Sequence, residues 1–534
     1  METVHQALDQ VAQRWLPRLL TQVCRDPASP HWGAFDRDWW HYRIRDFPSI
    51  ILQQGGYALA LAAQRAEPAA GRDGLRQLAA AAARFWNERA LRRGAFEEYY
   101  PWEQGYPPLA FATLAMLKLA ADGVVAPAEL QGGAAVAARQ LRTRFEAQAA
   151  NQQVAGLAAL AWCRRLYPEL VPAAEFAALA HRTLALQTAE GWFEEYGGPD
   201  LGYLSVTIDC LWHLFDATGD ARFPAAIERA AEYIQRQTEL FPVGSLGMHN
   251  SRNTDYLVPY GLVRLAVQHA TPENQALVHR LFAGAAAPGH FLAAVDDRYV
   301  SHYVGQSVFR AVLLLGQTPS LPVAAPAGAA RAEALEEFTA GGHFRRRTAD
   351  GQTSLVTLAK GGILSHFAGA AFVHDFGWVV QAADGQHLTH WWSAAWQHGQ
   401  ADGRLWVEGL LYRHREVAST PARHLALRLA SRLAGNRLIG QLKQRLIFAK
   451  PPSSIRLRRT VEWRDGEVRV VDRFSGVPAQ AEFRPAPRSS KRHVASADSF
   501  HPEDFQLLGG YRLARTFHRS AAEMEIVSSY QREA

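Results

Sequence analysis

Apolar and polar positions follow two different rhythms along this chain. From about residue 50 to Gly316, apolar stretches rich in small residues, such as 154–162 and 204–215, take turns with half-charged stretches such as 224–237, where apolar residues recur three and four positions apart. A helix that is apolar all round has to be inside and a half-charged one outside, so the alternation predicts hairpins of one inner and one outer helix. After about Phe338 the period shortens to two, and 353–359, 362–367, 378–382 and 405–412 read as strands. The clearest pair, 455–463 and 467–473, meets at Asp465-Gly466, which suits a tight hairpin turn. Between the two regimes, 316–330 carries Pro319, Pro322 and Pro326 among Ala and Gly, the composition of a linker.

The helical region repeats itself. Gly191-Trp-Phe-Glu-Glu-Tyr196 followed by Gly202-Tyr203 echoes Gly94-Ala-Phe-Glu-Glu-Tyr99 followed by Gly105-Tyr106 in the same register. Halving that interval gives a series Tyr57, Tyr106, Gln153, Tyr203, Tyr256 and Tyr303, spaced about fifty residues apart, a period that belongs to helix pairs. Six such hairpins closing on themselves form an (α/α)6 toroid, with the loops before the inner helices gathered at one mouth. The expected fold is therefore α+β and multidomain: a toroid over 1–316, a linker over 317–337 and an antiparallel β-sandwich over 338–534. A further helix is expected at 4–23, and the aromatic loop His31 to Tyr42 either lines the mouth or forms a lid packed by its own tryptophans.

One segment departs from the strand pattern. No acidic residue occurs between Glu416 and Glu462, and 421–448 mixes leucines with Arg and Lys at helical spacing. It predicts a basic amphipathic helix inserted among strands, suited to an anionic membrane surface or a polyanionic glycan, or else packed on the sandwich with its arginines in water. The formal net charge of +6 permits an anionic partner, but no nucleic-acid motif is present. The chain is rich in aromatics, with 15 Trp, 16 Tyr and 25 Phe, which suits sugar rings as well as large cores. Cys24, Cys163 and Cys210 are too scattered for a disulfide framework or a cysteine zinc site. No cofactor is expected, and a structural divalent cation in the sandwich stays open. With no signal-peptide pattern and no membrane-length apolar run, the expected location is cytoplasmic, with peripheral contact at the inner membrane through 421–448.

The mouth loops carry the polar candidates. Asn151-Gln152-Gln153 opens one inner helix, and the loop with Trp192 and Glu195 leads to Tyr203 on the next. His249, Asn250, Arg252 and Asn253 crowd a single loop before Tyr256; His249 is a proton-transfer candidate, and Arg252 suits a bidentate grip on a carboxylate. Arg298, His302 and Tyr303 come from the sixth unit, where Tyr299 and Tyr303 also have the spacing of a core stripe. Trp102, Tyr106 and Trp192 read as platforms for sugar rings. The first Phe-Glu-Glu-Tyr copy reads as architectural, since one site needs only one copy.

A toroid followed by a sandwich, with Asn151 ahead of a Gly-rich acidic loop ending in Tyr203, resembles the polysaccharide lyases of the heparinase II/III, alginate lyase and chondroitin lyase type. An Asn-His pair in that family is Asn151-Gln152 here, and the histidine-rich metal motif of some members is not evident. The resemblance implies β-elimination on an acidic polysaccharide or oligosaccharide, with Asn151 neutralising a uronate carboxylate and Tyr203 as base or acid. Three other readings remain. A hydrolase would draw on Glu195, Asp200, Asp209 and Asp255. A uronate epimerase would share the C5 proton abstraction. A non-catalytic glycan-binding protein of polysaccharide assembly or export would keep only the groove.

Overall fold

The computed structural model describes residues 3–94, 96–318, 333–382, 385–390, 393, 395–414, 419–443, 451–489 and 502–533. Among the described residues six inner helices stand side by side: Gly55–Ala63, Thr113–Ala121 (preceded by a π-helical turn, Pro108–Ala112), Ala150–Leu166, Leu201–Thr218, Tyr260–Gln268 and Tyr303–Gly316. Each packs on the next and the last packs on the first, so the ring closes. Their sequences explain their place. Gly55–Ala63 is buried along its whole length, and Ala150–Leu166 is buried from Ala150 through Cys163. Small side chains let the helices approach closely. At Gly156 an added Cβ would lie 2.6 Å from the Tyr106 hydroxyl.

Five outer helices follow their inner partners: Ala69–Arg93, Pro127–Thr143, Ala173–Leu184, Arg222–Leu240 and Pro272–Phe282. Arg222–Leu240 buries Phe223, Ala226, Ile227, Ala230 and Ile234 on one stripe, as a half-charged surface helix must. The sixth outer helix comes from the other end of the chain. Val4–Gln22, which the sequence pattern sets apart from the repeats, packs against Tyr303–Gly316 and completes the last hairpin. The loop after it is held by its own aromatics, with Trp39 against His31 and Phe85 and Trp40 Nε1 donating to Gln22 O at 2.8 Å.

The strands form two antiparallel sheets. One has the order Leu335–Phe338, His343–Arg347, Thr353–Thr357, Ile363–Ala368, Ala371–Asp375, Leu508–Gly509. The other is built around Arg404–His414, Pro452–Arg464, Glu467–Ser475, Glu523–Arg532 and Tyr511–Arg519. Apolar residues from both sheets, among them Phe344, Val356, Leu405, Leu457, Val470 and Ile526, form the core. Arg464 pairs with Glu467 across Asp465-Gly466, and Gly466 takes φ 64°, as the turn requires. The first strand starts at Leu335, inside the stretch read as linker, of which 319–332 lies outside the described residues.

The basic segment folds as two helices, Pro421–Ala434 and Asn436–Lys443, meeting at Gly435; 444–448 lies outside the described residues. Its contacts correct the expectation of packing on the sandwich. Ser431 Oγ donates to Pro101 O at 2.8 Å, Arg428 pairs with Asp46, and the Arg432 guanidinium lies 5.6 Å from the Trp102 ring centre. The arm therefore crosses the toroid mouth. Among the described residues no helix is long and apolar enough to cross a membrane.

Candidate active site

The first turns of the inner helices and the loops before them enclose a cavity of about 390 Å³, within the size range of small-molecule sites. Asn151, Gln152, Tyr203, Arg252, His302, Tyr303 and Tyr106 all line it. Tyr99, Tyr100, Phe111, Tyr196 and Tyr299 add an aromatic wall, Ile51 an aliphatic patch, Glu98 and Glu103 two carboxyl groups, and Leu427 and Leu442 of the arm a roof.

Short-range capping sets the key side chains. Asp200 is the N-cap of Leu201–Thr218: its Oδ1 accepts the Tyr203 backbone N–H at 3.1 Å, while Oδ2 accepts the Arg252 N–H at 3.0 Å. One carboxylate thus ties the Tyr203 turn to the Arg252 loop. Tyr196 adopts φ 54°, a left-handed conformation that a bulky residue takes only when its surroundings impose it. The Arg252 guanidinium lies 4.6 Å from the Tyr196 ring centre. Burial opposes the Arg252 charge, yet its pKa is raised, by Tyr203 first and then Tyr196 and Asp200.

Asn151 donates from both its backbone N–H and its Nδ2 to Glu195 Oε1, each at 2.6 Å. Burial pushes Glu195 well above the usual carboxylate range. Gln152 Nε2 donates to the Tyr196 hydroxyl at 3.1 Å, and the Tyr106 hydroxyl donates to Gln153 Oε1 at 3.0 Å. His302 is 2% exposed, and neither ring nitrogen has a hydrogen-bond partner within the described protein. Burial, helped by the Arg298 charge, holds it well below 6.5, so the imidazole is neutral at neutral pH and takes up a proton only reluctantly.

The other expected residues sit elsewhere. His249 is a correction: its Nδ1 meets Thr357 Oγ1 at 2.7 Å and its Nε2 meets Ser365 Oγ at 2.8 Å, so it joins toroid to sandwich. Asn250 accepts Leu201 N–H and donates to Thr254 O, bracing its own loop. Asn253 bonds to Ser489 O and Lys360 across the same seam. Trp192 is buried with Nε1 on Glu190, which removes it as a sugar platform. Trp102 lies under the arm, outside the cavity wall. Glu195 and Tyr256 stand behind the wall, Glu195 on Asn151 and Tyr256 with its hydroxyl 2.9 Å from that of Tyr303. Arg298 also stands behind it, 3.2 Å from Glu98 Oε1.

The hydrolase carboxylates are engaged as well: Asp209 accepts Gly261 N–H, Asp255 pairs with Arg488, and Asp200 is the cap described above. Sequence reasoning missed Glu98, Glu103, Tyr99 and Tyr196. The signal was present for Glu98 and Tyr99, because the first Phe-Glu-Glu-Tyr copy faces the same cavity as the second. Glu103 Oε2 accepts the N–H groups of Glu98 and Tyr99 at 2.9 and 2.7 Å, and burial together with the Glu98 charge pushes its pKa up to about 8. Among the described residues, no group of three or more His, Cys, Asp or Glu is placed to hold a metal ion.

No family profile and no curated protein sequence matches the chain. Among solved structures, the chondroitin AC lyase of Streptomyces coelicolor A3 in complex with chondroitin sulphate aligns at TM-score 0.54 and 11% identity, over 99% of this chain and 78% of that one. The two share a fold. A heparinase III structure aligns at TM-score 0.42 and 10% identity, over 99% of this chain and 90% of that one. With the chondroitin AC lyase this chain shares a helical toroid followed by antiparallel sheets, and its own candidate cavity lies at the toroid mouth.

Proposed function

We propose that this chain is a carbon–oxygen lyase that cleaves an acidic, uronate-containing polysaccharide by β-elimination at the toroid mouth. The observation that carries the reading is the convergence of Asn151, Tyr203, Arg252 and His302, from four different repeats, on one aromatic-walled cavity. The C5 proton of a uronate is weakly acidic until its carboxylate is neutralised. Arg252 and the Asn151 amide supply charge and hydrogen bonds for that carboxylate. Tyr203 as phenolate removes the C5 proton, the C–H electrons form the C4–C5 double bond, and the C4–O4 bond breaks as the Tyr203 phenol returns that proton to O4. Arg252 beside Tyr203 favours the phenolate this requires. Neutral His302, a weak base at its lowered pKa, serves as a hydrogen-bonding partner for the bound sugar and leaves proton transfer to Tyr203. Glu103, protonated below about pH 8, adds no charge against the substrate.

A glycoside hydrolase is the second reading. Glu98 and Glu103 share the cavity, and a carboxyl group whose pKa burial has raised suits a general acid. The test is incubation with a panel of uronate polysaccharides, following the ultraviolet absorbance of an unsaturated uronate product. Tyr203→Phe is expected to lower that rate by about 10²- to 10⁴-fold while leaving the melting temperature unchanged. Reducing ends appearing without the absorbance, and lost in Glu103→Gln, would replace elimination by hydrolysis.

A further inference from the structure

We propose that the outward face of the helix Pro421–Ala434 docks the protein on an anionic lipid surface. Leu425, Leu429 and Leu433 lie four residues apart on one stripe and are 60%, 56% and 87% exposed. Ala422 and Ala426 are exposed on the same side. The opposite side is the one that packs, since Ser431 is buried and donates to Pro101 O. The leucines are therefore not the core face of a helix turned the wrong way. They form a second apolar face on a helix whose first face is already used. Ile44, 73% exposed, and Tyr42, 54% exposed, lie on the loop that also holds Asp46, the partner of Arg428, and extend the apolar surface beside the arm.

Charge decides the occupant. Arg423 and Arg432 are exposed on the two flanks of the leucine stripe, and no acidic residue occurs between Glu416 and Glu462. A second copy of the chain seated on this face would bring like-charged arginines together. A polyanionic glycan would satisfy the arginines and leave the leucines in water. A bilayer with anionic headgroups satisfies both, with leucines in the acyl boundary and arginines at the phosphates. The inner side of the same helix carries Leu427, which roofs the cavity, so docking would hold the toroid mouth against the membrane. This surface stands independently of the proposed reaction.

The test is co-sedimentation of the full chain with vesicles of phosphatidylcholine alone and of phosphatidylcholine mixed with phosphatidylglycerol. The protein is expected to pellet with the mixed vesicles only. The variant Leu425→Gln/Leu429→Gln/Leu433→Gln is expected to bind them at least about tenfold more weakly with an unchanged melting temperature, since the three side chains face solvent. Equal binding to both vesicle types, or an unaffected triple variant, would overturn the proposal. So would a concentration-dependent dimer that the triple variant dissolves, which would make the face a contact between copies.

Discussion

Asp200 holds two of the groups on which the proposed chemistry rests by their backbone N–H groups, and its charge also bears on the Arg252 guanidinium. Removing its carboxylate in Asp200→Ala strips the cap from Leu201–Thr218 and frees the Arg252 N–H, so the fold is expected to lose about 1–2 kcal/mol. The more telling variant is Asp200→Asn. Its amide oxygen can still accept the Tyr203 N–H, but its NH₂ group faces the Arg252 N–H as a second donor. Thermal melts should then recover most of the stability, while KM for a uronate substrate stays raised. Equal recovery of both would show that Asp200 does no more than cap its helix. Glu103 gives a second prediction at this scale. It is neutral below about pH 8 and charged above it, and a charge gained in the cavity repels a uronate. KM should therefore rise as pH passes 8, and Glu103→Gln should flatten that limb of the profile.

At the scale of the element, each inner helix meets the same demand: small residues where neighbours touch, entered from a loop at the mouth. That shared demand makes the six repeats legible from spacing, whereas Asn151 is singled out by the family resemblance and not by the period. It also predicts the cost of Gly156→Ala. The new methyl group would meet the Tyr106 hydroxyl and its bond to Gln153, and chemical denaturation should show a loss of about 1–3 kcal/mol. Where the contact partner comes from far along the chain, legibility ends. His249 and Arg252 share one polar loop, yet one faces Thr357 and Ser365 on the sandwich and the other faces the cavity. Composition cannot tell the two sides of a loop apart when strands a hundred residues later decide them. The arm shows the same limit: its basic, helical character is plain in the sequence, but its seat depends on Pro101 and Asp46. Glu98 was hidden differently, because a duplicated motif reads as architecture even when both copies reach one cavity.

For the whole molecule, the seam between toroid and sandwich is built on histidines held neutral. His249 bridges Thr357 and Ser365, Ser365 Oγ meets His374 Nδ1 at 2.8 Å, and His343 Nε2 donates to His249 O at 3.1 Å. Burial lowers all three, His249 well below 6.5 and the other two to about 4; Lys360 adds to the effect at His249, Arg345 at His343 and Arg488 at His374. When the seam opens and water enters, each returns toward 6.5. The open state then binds more protons than the closed one, so the seam's contribution is complete above pH 6.5 and is lost as pH falls toward 4. Three groups shifted this far would weaken the closed seam by about 4 kcal/mol at pH 5.5. Lys360 donates to Met248 O and Asn250 O at 2.6 and 2.8 Å across the same seam. Hydrogen exchange, corrected for its intrinsic pH dependence, should therefore show Thr353–Thr357 and Ile363–Ala368 losing protection between pH 7.5 and 5.5, while Glu467–Ser475, in the other sheet, keeps it. If all three strands lose protection together, acid acts on the sandwich as a whole, and the histidine seam is not its weakest point.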